Sequence, residues 1–132
     1  MASRTSTARK TGHPLCVPRR VLIVDDHPSF RAAARLLLED EGFEVVGEAA
    51  DGAGGLSATA ALDPDVVLLD VNLPDVDGFD VASRLCIHQH GPKVVLTSSR
   101  DPRDFGPLVH RSGACGFIPK GELTGAALSA LL

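Results

Sequence analysis

The chain alternates between short apolar runs and longer stretches in which apolar residues recur at helical spacing. "RRVLIVDD" carries an apolar run from Val21 to Val24 that stops at two aspartates, as a short buried strand would. "HPSFRAAARLLLEDEG" follows as a helix, with Pro28 in its first turn, Phe30, Ala34, Leu37 and Leu38 on one face, and Gly42 ending it. "FEVVGEAA" predicts a second strand. "DGAGGLSATAALDP" predicts a weak, Ala-rich helix that Pro64 forbids from continuing. "DVVLLD" is apolar at successive rather than alternate positions, the pattern of a strand covered on both faces.

The alternation continues. "DGFDVASRLCIHQHG" predicts a helix with Phe79, Ala82, Leu85 and Cys86 inward, and "KVVLTSS" a fourth strand. "DPRDFGPLVHRSG" predicts a fourth helix that Gly106 and Pro107 make short or bent. "ACGFIPK" is a fifth strand, and "GELTGAALSALL" a last helix running to the end of the chain. Alternation of this kind, with right-handed crossovers, implies an α/β doubly wound parallel sheet with helices on both faces. Sites in such sheets form at the carboxyl ends of the strands. Those ends carry Asp25 and Asp26, Asp70, Thr97 or Ser98, and Lys120.

Composition narrows the picture. The 132 residues suffice for one domain, expected over 19–132, after a flexible N-terminal tail at 1–18. Arg4, Arg9 and Lys10 of that tail, with Arg19 and Arg20, are too scattered to make a basic arm. Lys and Arg total 13 against 17 Asp and Glu, a net charge of −4, which argues against direct nucleic acid binding and against anionic membranes. No apolar run approaches the ~20 residues that span a bilayer. No signal-peptide pattern opens the chain. Cys16, Cys86 and Cys115 form no CxxC or zinc-like spacing, and read as reduced thiols, Cys86 and Cys115 packed in the core. A cytoplasmic protein is expected.

Three carboxylates gathered at one sheet edge repel one another, by about 4 kcal/mol per pair at ~4 Å and an effective dielectric near 20. One Lys does not offset that, so a proton or a cation must be bound. Hard oxygen donors at incomplete coordination suit Mg²⁺, which favours one or two carboxylates plus a phosphoryl oxygen. A carboxylate beside such a cation, a hydroxyl and an ammonium is also equipped to accept a phosphoryl group.

At this point the residues resemble the receiver domain of two-component response regulators. "VLIVDDHP" matches the acidic-pair segment, "LLDVNLPDVDG" the phosphoacceptor segment, and "GACGFIPK" the strand with the essential Lys. The "DDHP" form is most similar to receiver halves of regulators with a helix-turn-helix output domain. The resemblance implies a flavodoxin-like sheet of order 2-1-3-4-5 with five helices, and a phosphorelay switch that catalyses only its own phosphorylation and dephosphorylation. It implies Asp70 as phosphoacceptor, and Mg²⁺ held by Asp25, Asp26 and the Asn72 backbone carbonyl. Lys120 would bind the phosphoryl group. Family spacing back from the Lys selects Ser98 as the switch hydroxyl, while Thr97 matches by residue type if the loop carries one insertion. Phe117 is the switch aromatic, and Asn72 and Arg100 stand where phosphoryl lifetime is tuned. The implied partners are a sensor histidine kinase or phosphotransfer protein, and a downstream protein bound through the face of the fourth helix, fifth strand and fifth helix. Homodimerisation stays open.

Other readings compete at single residues. Asp25 or Asp26 would serve as a helix N-cap before Pro28. Asp75 and Asp77 read as turn residues, and His27, His88 and His90 as surface or helix-end residues. An aspartyl-phosphate hydrolase needs a second Asp where the chain has Asn72. A receiver fragment of a DNA-binding regulator has the same sequence signature as a free-standing switch. The glycines after the second strand lack dinucleotide-binding spacing.

Overall fold

A computed structural model describes residues 18–88 and 90–132. The tail expected at 1–18 thus lies, but for Pro18, outside the described residues, as does Cys16. The strands are β1 (Arg20–Val24), β2 (Glu44–Ala49), β3 (Val66–Asp70), β4 (Lys93–Ser98) and β5 (Gly116–Pro119). The helices are α1 (Pro28–Asp40), α2 (Gly52–Leu62), α3 (Gly78–Cys86), α4 (Leu108–Arg111) and α5 (Gly125–Ala130). Short 3₁₀ turns occupy Pro102–Phe105 and Lys120–Glu122.

All five strands pair in parallel, in the order β2-β1-β3-β4-β5. Every residue of β3 is buried, as its unbroken apolar run requires. Successive strand residues feed two cores. Val21, Ile23, Val66, Leu68 and Val95 pack under α1 and α5 with Ala34, Leu38 and Leu128. Leu22, Val24, Val67, Leu69, Val94 and Leu96 pack with Phe79, Val81, Ala82 and Leu85 of α3, and with Leu56, Ala58 and Leu62 of α2.

Punctuation residues act as the pattern predicts, with some shifts. Gly106, at φ +54°, and Pro107 split the fourth helical stretch into a 3₁₀ turn and the single turn α4. The third helix ends at Cys86, short of the stretch expected. The last helix starts only at Gly125, where Thr124 Oγ1 accepts from the Ala127 N–H at 2.9 Å and defines the cap. Lys120 accordingly opens a 3₁₀ turn instead of closing β5. Cys86 is half-buried against the core, with its thiol pushed up by burial and then by Cys115. Cys115 is exposed, so its expected core-packing role is not met. Among the described residues, no helix is long and apolar enough to cross a membrane.

Candidate functional site

The carboxyl ends of β1, β3 and β5 converge. Asp25 and Asp70 are 1% and 2% exposed, while Asp26, next to them, is 34% exposed. Their placement follows from the two cores: the apolar run of β1 ends at Val24 with Asp25 next, and that of β3 ends in Asp70 itself. Lys120 comes in from the far side of β5. Its Nζ lies 2.7 Å from Asp25 Oδ2, off the hydrogen-bonding direction but close enough to pair as ions, and it donates to Asp70 Oδ2 at 3.4 Å. The ammonium also sits 4.7 Å from the centre of the Phe30 ring.

Burial, and secondarily the Asp25 charge, push the Asp70 carboxyl above the usual carboxylate range. The Asn72 N–H, donating to Asp70 Oδ1 at 3.1 Å, and Lys120 pull the other way. Asp25 Oδ2 and Asp26 Oδ1 are buried and have no hydrogen-bond partner among the described residues. Three carboxylates gathered this closely fit a hard dication. Three negative charges against one ammonium leave −3 + 1 = −2, which one dication neutralises.

The loop after β3 is built for close approach. Gly78 N–H donates to Val71 O at 2.8 Å, and a Cβ at Gly78 would collide with Asp70 O and stand 2.7 Å from Val71 Cα. Only glycine lets α3 start this near the end of β3. Asp77 caps α3 by accepting from the Phe79 N–H at 2.8 Å. Asp75 does more than turn the chain: its two carboxylate oxygens accept from Gly52 N–H at 2.8 Å and Ala53 N–H at 3.0 Å, the first turn of α2.

Thr97 stands opposite Asp70 in the β3–β4 register, and its Oγ1 is buried with no hydrogen-bond partner among the described residues. Ser98 is equally buried, but its Oγ accepts from the Arg100 N–H at 3.0 Å. Arg100 is exposed, stacked over Phe105 at 5.4 Å and facing Asp104 at 3.6 Å. Phe117 is half-buried, its ring 5.5 Å from that of Phe105, which in turn meets Phe79 edge-on at 5.4 Å. An open groove of about 460 Å³ runs past Asp26, Asn72, Pro74, Asp77, Arg100 and Phe105.

Two residues emerge that pattern reasoning passed over. Phe105 links Phe79 to Phe117 from within a segment whose Gly and Pro drew attention to helix breaking instead. His27 is the N-cap of α1 in place of Asp25 or Asp26, because Asp25 turns inward and accepts from the His27 N–H at 2.8 Å. Its exposed ring reaches back into the site, Nδ1 lying 3.0 Å from Asp25 Oδ1 and 3.1 Å from Asp26 Oδ1. His88 and His90 are exposed, away from it.

A five-stranded parallel sheet of this order, with a buried carboxylate, an acidic pair and a Lys at one edge, defines a flavodoxin-like receiver fold. The chain belongs to the response regulator receiver domain family, whose model matches residues 21–131. Among solved structures, the signal receiver domain of the response regulator NarL from Mycobacterium tuberculosis superposes with a TM-score of 0.77 and 35% identity, over 86% of this chain and 96% of that one. The chemotaxis response regulator CheY4 of Vibrio cholerae gives 0.78 at 25% identity, over 88% of this chain and 100% of that one. The virulence-factor transcription regulator BvgA of Bordetella pertussis is 41% identical over 78% of this chain and 49% of its own length. The transcriptional regulatory protein PdtaR of Mycobacterium tuberculosis is 37% identical over 86% and 55%. The chain thus spans about half the length of the curated relatives it matches.

Proposed function

We propose that the chain is a phosphorelay switch in which Asp70 takes a phosphoryl group from a phosphohistidine of a sensor histidine kinase or phosphotransfer protein. A carboxylate oxygen attacks phosphorus, the new O–P bond forms as the P–N bond breaks, and the electron pair leaves with the imidazole. The observation that carries this reading is the burial of Asp70 within reach of Lys120 and beside the carboxylates of Asp25 and Asp26. Asp25, Asp26 and the Asn72 backbone carbonyl would hold Mg²⁺, which supplies charge neutralisation to the transferring oxygens. Lys120, within 3.4 Å of Asp70 Oδ2, would add a second positive charge to the phosphoryl oxygens.

For the switch hydroxyl, the register opposite Asp70 and the unpaired Oγ1 favour Thr97 over Ser98, whose oxygen is engaged by the loop. Phe117 then repacks, and the surface of α4, β5 and α5 changes its affinity for a downstream protein. Arg100 and Asn72, both lining the groove, govern how readily water reaches the acyl phosphate. Because several relatives are named as transcription regulators, we read this receiver, over 19–132, as the regulatory part of a cytoplasmic regulator that acts on a DNA-binding output. Its chemistry is confined to its own phosphorylation and dephosphorylation.

The test is incubation with phosphoramidate and Mg²⁺ followed by intact mass measurement. One phosphoryl group should be gained by the wild type and none by Asp70→Asn. A variant that gains it as fast as the wild type removes Asp70 from the reading.

A further inference from the structure

The reading above leaves His27 without a task, although its ring Nδ1 lies 3.0 Å from Asp25 Oδ1 and 3.1 Å from Asp26 Oδ1. The backbone under the ring is fixed: the His27 main-chain N–H donates to Asp25 Oδ1 at 2.8 Å, and Pro28 follows as the first residue of α1. One donor atom from each of Asp25, Asp26, His27 and Asp70 lies within 4.8 Å of all the others. Asp25, 1% exposed, turns Oδ1 toward the His27 ring at 3.0 Å and Oδ2 toward Lys120 Nζ at 2.7 Å. Lys120 Nζ stands 3.5 Å from Nδ1, so the ring also borders the ammonium.

Oxygen-only sites and mixed nitrogen–oxygen sites differ in the ions they prefer. Mg²⁺ gains little from imidazole, whereas Zn²⁺, Co²⁺ and their neighbours bind it well at about 2.0–2.1 Å. An imidazole poised over a carboxylate pair therefore shifts the competition between these ions. We infer that His27 Nδ1 is a metal ligand that makes the acidic pocket a mixed nitrogen–oxygen site, raising its affinity for borderline transition-metal dications relative to Mg²⁺. The inference rests on the metal-assisted phosphoacceptor reading of the same pocket. Its consequence is a switch that senses which dication is available, since a transition-metal ion on His27 and the carboxylates occupies the place Mg²⁺ would take.

The experiment is calorimetric titration of the metal-free chain with ZnCl₂ and, separately, MgCl₂ at pH 8, for the wild type, His27→Gln and Asp26→Asn. The ratio of Zn²⁺ to Mg²⁺ affinity should fall at least tenfold in His27→Gln. Co²⁺ loading should show a visible absorption band in the wild type that moves in that variant, and Zn²⁺ should shift the His27 ring ¹⁵N resonances. Mg²⁺ binding by His27→Gln serves as its folding control. A ratio unchanged within twofold, or His27 resonances unmoved by Zn²⁺, overturns the inference while leaving the Mg²⁺ site standing. Tight Zn²⁺ binding that survives in Asp26→Asn belongs to surface histidines and overturns it too. If the wild type takes up neither ion, the metal-assisted reading falls, and this inference with it.

Discussion

At the scale of single residues, the site is a balance of buried like charges, and two predictions follow from its sign. Folding raises the Asp70 pKa, so ionising Asp70 costs more in the folded chain than in the unfolded one. Stability from this group is complete below the ordinary carboxylate range and is lost as pH rises through the elevated value. Without dications, Asp70→Asn should therefore be more stable than the wild type at pH 7. The gap should close below the ordinary carboxylate range, which denaturant unfolding at two pH values measures. Mg²⁺ at about 100 times its Kd should stabilise the wild type by roughly 2.7 kcal/mol, and the Asn variant by less at the same concentration. The second prediction separates the hydroxyls. Thr97→Ala should lose most of the phosphorylation-dependent structural change while Ser98→Ala keeps it, because only Thr97 is opposite Asp70 with a free oxygen. The reverse result, read by amide exchange before and after phosphorylation, would return the role to Ser98.

At the scale of elements, the β3–α3 loop is held at both ends, and one of its clamps reaches across the fold. Gly78 admits α3 against Asp70 and Val71, while Asp75 ties the loop to the first turn of α2. The two α2 amides hold the Asp75 carboxyl below the usual carboxylate range. Its contribution is thus present above that range and fades as pH falls through the lowered value. Asp75→Ala should speed exchange of the Gly52 and Ala53 amides, and Asp75→Asn, which keeps one acceptor oxygen, should do so less. Equal rates in all three proteins would show that the clamp is not formed in solution. This clamp also marks the limit of what sequence pattern conveys. β1, β3 and β4 are legible because each buried strand writes an uninterrupted apolar run, and Asp25, Asp70 and Lys120 are legible because each stands where such a run ends. The spacing of "PDVDG" declares a turn, but nothing local says that one of its carboxylates bonds a helix 23 residues earlier. The same holds for His27, whose position at a helix start gives no sign that its ring turns back to the acidic pair. The start of α5 is missed for a plainer reason: Gly121 and the Thr124 cap compete, and the cap wins.

At the scale of the molecule, the two cores give the site unequal surroundings. The face under α1 and α5 is closed by buried Ala34, Leu38 and Leu128. The other face ends in α4, a single turn in which Leu108, His110 and Arg111 are exposed and Val109 is half-buried. A segment with so little buried surface opens at low cost, so a phosphoryl group adding about two negative charges at the sheet edge should move this part first. The Phe79–Phe105–Phe117 row is the packed connection between α3, the loop after β4, and β5. Phosphorylation should therefore change deuterium uptake across 99–119 while leaving α1 and the centre of β1 nearly untouched. Phe105→Leu keeps apolar volume but removes both ring contacts, at a cost of about 1 kcal/mol. It should still be phosphorylated on Asp70, because Asp70 is held by Asn72 and Lys120 and not by Phe105, yet its uptake at β5 should no longer respond. A variant that is phosphorylated and responds like the wild type would show that the aromatic row does not carry the signal, leaving the backbone of β4 and β5 as the connection between the site and α4.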